Sequence, residues 1–354
     1  MKESLERISG HLRAVCVELD ALAMSQVGPQ PQPAPQPAQP TTSPNGVQPP
    51  QTPTSGAEVL QNSVDQLLID YNDANIEFAP GVRVERLVIQ KGVKRVRIAG
   101  GEFGSIDMEM PYVRWPDEWD PDLMVSDVLI DGARILSPDS VNISLRVQAN
   151  RCRIQNCTVS SANFACYAVT HNQYGYLGNG IRMNNVSMAN NRFVARDVDP
   201  SSRAEDQTCV RLLHIDGLHF DNNEVVMEDL FKQSFRLHNG VSNALVERNT
   251  FRNAGVAFAT INGDVVEDLV FRNNQVLNFR NFDLFHLGRP ARNEGTVLGA
   301  SVNGNLFEIT PEAGDQNNAL LRYMPGRTTP EEDAMWDVSG NTVVWTENGE
   351  TWNG

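Results

Sequence analysis

The sequence has no run of about 18 consecutive apolar residues, the least that crosses a bilayer as a helix. Its first 25 residues carry charges throughout, unlike the unbroken apolar stretch of a secretory leader. Synthesis in a reducing cytosol without membrane insertion is therefore expected, and work outside a cell would require lysis or a leaderless route. Cysteine is scarce. Cys16, Cys152, Cys157, Cys166 and Cys209 form an odd set with no C-x-x-C spacing, which argues against a zinc site or a disulfide framework and leaves free, mostly buried thiols. Basic charge is also short: 29 Lys and Arg stand against 44 Asp and Glu, and the formal net charge of -15 repels nucleic acid.

What is present divides into parts. In residues 1–25 the large apolar residues Leu5, Ile8, Leu12, Val15, Leu19 and Leu22 follow one another in alternating steps of three and four, the seam of a coiled coil. With Leu5, Leu12 and Leu19 at a and Ile8, Val15 and Leu22 at d, two-stranded pairing is disfavoured, so a homotrimer is expected. The alternative is a short amphipathic helix packed on its own body or in another protein's groove; both make it an attachment device. Residues 26–56 are proline-rich and, from 28 to 56, uncharged. Such a run favours extended polyproline II, and at about 3.1 Å per residue it reaches up to roughly 80 Å. It is read as a stand-off spacer.

From residue 57 the texture changes to short β-branched runs separated by Asn, Gly and Asp. An asparagine followed shortly by apolar strand residues recurs at Asn156, Asn191, Asn223, Asn249, Asn274, Asn305 and Asn341, and the shortest steps, 223 to 249 and 249 to 274, are 26 and 25 residues. A fixed period with variable insertions marks a solenoid. A second column, Asn184-Asn185, Asp216-Gly217, Asn239-Gly240 and Asn262-Gly263, supplies residues that tolerate the left-handed backbone of a tight corner. Stacked asparagines also hydrogen-bond from coil to coil, so the first column is a structural ladder. Leucine-rich repeats and propellers fit poorly, because the leucine framework and the longer unit are missing. The expectation is an all-β chain, a parallel β-helix over residues 81–354, preceded at 57–80 by an N-terminal cap. Within that cap, residues 57–71 have helical spacing at Val59, Leu60, Val64, Leu67 and Leu68.

With these columns, the body resembles the right-handed parallel β-helix superfamily of pectate lyases, polysaccharide hydrolases and phage tailspikes. The sequence of anchor, spacer and β-helix resembles a bacteriophage fibre, tailspike or head-decoration protein. The resemblance implies either of two chemistries: an Asp-Asp cluster for hydrolysis, or calcium-bound carboxylates beside a Lys or Arg base for elimination. Hydrolysis needs two carboxyls at a set separation, and no Asp-Asp pair occurs.

Candidate carbohydrate-binding residues come from two insertions and one stripe. Trp115 and Trp119 lie among carboxylates, of which Asp117, Asp120 and Asp122 are the calcium candidates, although the EF-hand order of ligands is absent. His171, Tyr174 and Tyr176 occupy a second insertion, where binding residues tend to lie on a rigid stack. Arg182, Arg211, His214, Arg236 and His238 gather on the strand before the second column and offer a positive stripe to an anionic sugar. The reading is a phage-particle fibre or decoration protein, attached to a capsid or tail protein by its N-terminal helix and binding cell-surface polysaccharide, without a required cofactor. Alternatives are a polysaccharide lyase or glycoside hydrolase, and a purely structural β-helix that binds protein. Deleting residues 1–25 should convert the oligomer to a monomer in light scattering; an unchanged mass would remove the coiled coil from the account.

Overall fold

The structure, a computed structural model, describes residues 50–110, 120–137, 143–162, 164–169, 181–196, 208–228, 233–238, 240–253, 256–259, 266–279, 297–309, 337–347 and 350–353. The expected coiled coil and most of the spacer lie outside the described residues.

Chain order converts directly into coils. The first three coils hold β1 (Glu58–Leu60) with β2 (Val64–Ile69), β3 (Asn75–Phe78) with β4 (Arg83–Ile89), and β5 (Lys94–Ala99) with β6 (Glu102–Met108). Five three-stranded coils follow. They are β7 (Val125–Asp131), β8 (Arg134–Leu136) and β9 (Ile143–Val147); β10 (Ala149–Gln155), β11 (Thr158–Ser161) and β12 (Phe164–Ala168); and β13 (Met183–Ala189), β14 (Arg192–Ala195) and β15 (Thr208–Leu213). The series continues with β16 (Ile215–Asp221), β17 (Glu224–Met227) and β18 (Gln233–His238), then β19 (Val241–Glu247), β20 (Thr250–Arg252) and β21 (Val256–Ala259). The last coils are β22 (Val266–Arg272) with β23 (Gln275–Phe279), β24 (Val297–Asn303) with β25 (Leu306–Ile309), and β26 (Asp337–Ser339) with β27 (Thr342–Glu347). Finally β28 (Glu350–Asn353) folds back antiparallel on β27.

Every other pairing joins one coil to the next in parallel, which makes the body a parallel β-helix with three faces. The first face is an 11-stranded ladder running from β1 to β26. The second runs through β8, β11, β14, β17, β20, β23, β25 and β27, and the third through β9, β12, β15, β18 and β21. Both grow from β6, which pairs β8 at Glu102↔Arg134 and β9 at Ile106↔Leu145. Alternation turns one side of each strand inward. Columns such as Ile98, Ile130, Ile154, Met188, Phe220, Val246 and Phe271 fill the interior with side chains that are wholly buried. Phe251 stacks between Phe220 at 6.4 Å and Phe271 at 5.9 Å. Burying each such ring stabilises the fold by about 1.5–3 kcal/mol.

Residues 57–71 hold strands β1 and β2 in place of the expected helical spacing, and the solenoid begins at residue 58 rather than near 80. A bend within β2, β4 and β6 explains the misreading. It turns Val64, Leu67 and Ile69 toward the core, as it does Val84, Leu87 and Ile89, and Phe103, Ile106 and Met108. Steps of three and two over so short a stretch mimic helical spacing. The backbone decides the matter, since β2 pairs β4 from Val64↔Val84 to Ile69↔Ile89.

The corner between the first and second faces consists of two adjacent columns. Gly100, Gly132, Asn156, Asn190, Asn222, Arg248, Asn273, Gly304 and Gly340 all take the left-handed conformation, with φ between 50° and 70°. The next residue in each of the last six coils is Asn191, Asn223, Asn249, Asn274, Asn305 or Asn341. Each side-chain oxygen in this ladder accepts the backbone N–H of the counterpart one coil earlier, as in Asn223 N to Asn249 Oδ1 at 2.8 Å and Asn249 N to Asn274 Oδ1 at 2.9 Å. Each Nδ2 donates to a carbonyl of the preceding coil, Asn249 to Phe220 at 2.9 Å and Asn274 to Val246 at 2.9 Å. Asn156 does not belong to this ladder. It is exposed, sits in the left-handed column and donates to Asp131 at 2.8 Å. The ladder position of that coil is Cys157, whose N–H donates to Asn191 Oδ1 at 2.9 Å.

A second left-handed column lies within the first face at Asp73, Arg95, Asp127, Arg151, Asn185, Gly217, Asn243 and Asp268. The expected Asn184-Asn185 and Asp216-Gly217 corners continue through Ser242-Asn243. Gly240 lies three residues before Asn243, while Asn239 and Asn262-Gly263 are outside the described residues. Arginine is unusual in left-handed backbone, where aspartate is better tolerated, and here each such arginine is held by a bidentate pair to an aspartate of the preceding coil. Arg95 holds Asp73, and Arg151 holds Asp127, through two contacts of 2.7 Å each. The same aspartates pin the chain before β1: Gln51 N–H donates to Asp127 at 3.1 Å and Thr54 N–H to Asp73 at 3.3 Å.

Asn249→Ala strands the Asn223 N–H and the Phe220 carbonyl, each at about 1–3 kcal/mol, so denaturant titration should register a loss of about 3 kcal/mol or more. Asn156→Gly, at an exposed left-handed position, should cost well under about 1 kcal/mol. Equal losses would contradict the assignment of the two columns.

Candidate functional site

On the third face, strands β9, β12, β15 and β18 repeat one local pattern of apolar, outward, apolar. Leu145 and Val147 flank Arg146, Cys166 and Ala168 flank Tyr167, Val210 and Leu212 flank Arg211, and Phe235 and Leu237 flank Arg236. The flanking residues are fully buried, so the middle residue of each triplet is turned out of the core. Register places these outward residues on consecutive rungs: Arg146↔Tyr167, Tyr167↔Arg211 and Arg211↔Arg236. Each rung is about 4.8 Å from the next. Asp107 of β6 precedes them, opposite Arg146.

The electrostatics of the column are uneven. Asp107 receives Arg86 at 2.9 Å, while Arg146 Nε stands 3.9 Å from it. The Arg211 guanidinium lies over the Tyr167 ring, 5.7 Å from its centroid, a cation–π distance. Arg211 is only 7% exposed. Its Nε is buried without a hydrogen-bond partner, and it makes no ion pair among the described residues. Like charges facing each other across strands are destabilising, and Arg211 faces Arg236. The arrangement suits an oxyanion, for which guanidinium is a bidentate partner.

The expected basic stripe is thus split. Arg211, Arg236 and the strand position of His238 belong to the third face, with His238 opposite Leu213. Arg182 and His214 belong to the turn that enters the first face. Arg182 donates to Ser242 at 2.9 Å and lies 3.7 Å from Glu267, so its charge is engaged in the scaffold. His214 is buried and left-handed with φ 51°. Trp115, Trp119, Asp117, His171, Tyr174 and Tyr176 lie outside the described residues. Of the calcium candidates, Asp120 caps the short turn Pro121–Leu123, accepting the Asp122 N–H at 2.9 Å, and Asp122 pairs with Lys94 at 2.8 Å. Arg146 and Tyr167 carry no expectation from sequence. Their signal is the shared triplet, which emerges once the coils are aligned.

One other cluster has the composition of a metal site. Ligand atoms of His219, Asp221 and Glu247 on the first face lie within 4.8 Å of one another. Two arginines already supply positive charge there: Arg248 contacts Asp221 at 2.8 Å and Glu247 at 3.0 Å, and Arg272 holds Glu247 at 2.8 Å. Burial pushes the Glu247 carboxyl up, but the Arg272 hydrogen bond and the charges of Arg248, Arg272 and His219 outweigh it and hold the group below the usual carboxylate range. The cluster reads as an ion-pair network joining three coils.

Comparison with known proteins adds little. No protein-family model matches the chain, and no curated protein matches it. Among solved structures it is similar to the Dettilon tailspike protein at 12% identity and a TM-score of 0.42, over 83% of this chain and 53% of that one. The chain spans about half the length of that protein. The β-helix assignment rests on the strand register above.

Because the folded value of Glu247 lies below its unfolded value, its contribution is complete above about pH 4.3 and lost as the pH falls through the folded value. Glu247→Gln should lower the thermal midpoint at pH 7 and flatten its decline between about pH 5 and 3. An acid limb identical to that of the unsubstituted protein would show that Glu247 is not part of a stabilising network.

Proposed function

We propose that this chain is an adhesive fibre or decoration protein of a phage particle, homo-oligomeric, attached through its N-terminal helix and presenting its β-helix to a glycan of the host surface. The observation that carries the glycan-binding part is the third-face column of Arg146, Tyr167, Arg211 and Arg236. Outward arginines and an aromatic ring stand on consecutive rungs of a rigid scaffold, on a chain whose overall charge is negative. An aromatic face takes the C–H side of a sugar and guanidinium groups take its oxygens. The virion part is supported by the plan of the sequence, in which an amphipathic heptad segment and a proline-rich spacer precede the solenoid. Several copies on one particle would multiply a modest single-site affinity into firm attachment.

An antibody raised against the β-helix should decorate intact virions of the source phage in gold-label electron microscopy, and the full chain should retain purified host-envelope polysaccharide on a sensor surface. Label confined to lysate debris contradicts the virion part. Decoration without any polysaccharide retention contradicts the adhesive part.

A further inference from the structure

The chain that enters the first coil lies back along the body. Gln51 N–H donates to Asp127 of β7 at 3.1 Å, and Thr54 N–H to Asp73, just before β3, at 3.3 Å. The Thr54 hydroxyl reaches the same Asp73 oxygen at 3.2 Å, and Asn75 Nδ2 donates to the Ser55 carbonyl at 3.2 Å. Followed backwards from β1, the chain therefore passes the second coil and then the fourth. Three residues of polyproline II rise about 9.3 Å and two rungs about 9.6 Å, so the two repeats are commensurate. Burial follows the same period of three: Pro50 and Pro53 are half-buried, while Gln51, Thr52 and Thr54 are exposed. The sequence carries the period further, because Val47-Gln48 repeats the apolar-polar pairs Pro50-Gln51 and Pro53-Thr54, and Asn45 stands three residues before Gln48.

The left-handed column of the first face answers with a period of two coils. Asp73, Asp127, Asn185 and Asn243 stand at every second coil, with Arg95, Arg151 and Gly217 between them. The two aspartates are the acceptors already used by Thr54 and Gln51. Asn243 Nδ2 is engaged by Asp216 at 2.7 Å, and its oxygen, like that of Asn185, accepts no hydrogen bond among the described residues. A Cβ at Gly217 would stand 3.1 Å from the Asn185 oxygen, so the glycine leaves that acceptor open.

We propose that this column is a docking surface for the chain's own residues 45–50, which continue along it as a polyproline II strap, the Gln48 N–H donating to Asn185 Oδ1 and the Asn45 N–H to Asn243 Oδ1. The proposal is independent of the glycan-binding reading above. It gives one reason for four side-chain oxygens at alternate coils and for a polar residue at every third place of the strap. The strap clasps the coils from β3 to β19 along their outer side. The free spacer then begins before residue 45 and leaves beside β19, seven rungs or roughly 34 Å from β1.

The test is residue-resolved hydrogen exchange on the full chain, corrected for intrinsic rates. The Gln48 and Asn45 N–H groups should exchange at least tenfold more slowly than those of Gly46 and Val47 between them, because only every third N–H of the strap meets the column. Asn185→Gly and Asn243→Gly remove one acceptor each at positions where glycine is at ease in left-handed backbone. The first should bring Gln48 to the rate of Val47 and the second should do the same for Asn45, with the strand amides of β13 and β19 unchanged. Asn185→Asp keeps the acceptor and should keep Gln48 slow. Uniformly fast exchange over residues 45–48, or equal protection of all four, would overturn the strap. So would slow exchange at Gln48 that survives Asn185→Gly. Should a glycine variant loosen its own strands, the pattern over residues 45–48 in the unsubstituted protein decides alone.

Discussion

Successive coils of this chain stack only where each corner falls directly over the one before, because a strand shifted by one residue turns its apolar side chains to solvent. Two adjacent columns enforce that coincidence. The left-handed column turns the chain from the first face to the second at the same place in every coil from Gly100 to Gly340. The asparagine beside it then bonds to both neighbouring coils: Asn274 accepts from Asn249 at 2.9 Å, donates to the Val246 carbonyl at 2.9 Å, and its own N–H reaches Asn305 at 2.8 Å. A buried amide that satisfies backbone groups above and below is specific in a way an aliphatic side chain is not. The phenylalanine stack and the ladders of all three faces depend on the register so fixed.

Much of this was legible in the sequence, since the ladder and its period rest on residue types with few other uses at a regular spacing. Asn191, Asn223, Asn249, Asn274 and Asn305 share both the amide and the buried apolar residue two positions later. Asn156 has its buried residue, Val159, three positions later, and that phase difference marks it as a corner residue. Residues 57–71 were illegible for a different reason: a bent strand buries positions at steps that a short helix also uses, and only pairing with the next coil separates the two. The basic stripe was half legible. Composition gathered Arg182, His214 and Arg236 in one group, while the strand register sends the first two into the scaffold and brings in Arg146 and Tyr167 from earlier coils.

The charged residues divide in the same way between holding the fold and facing outward. Asp73, Arg95, Asp127 and Arg151 form alternating bidentate pairs along one column and fasten the chain that enters the first coil. Asp221, Glu247, Arg248 and Arg272 cross-link three coils at the edge of the first face. In both places acid and base are matched. The third face differs at one rung, because Arg211 is buried over the Tyr167 ring and makes no ion pair among the described residues. A solenoid separates these tasks well, since each face is built from a different segment of every coil.

Residue-resolved hydrogen exchange measures the central constraint most directly, for the backbone N–H groups of Asn191, Asn223, Asn249, Asn274 and Asn305 lie at corners and have side-chain oxygens as their acceptors. If the amide ladder holds the coils in register, these corner groups exchange as slowly as the strand amides of the first face beside them. Exchange at the rate of exposed turns, with the flanking strands still protected, would contradict the account.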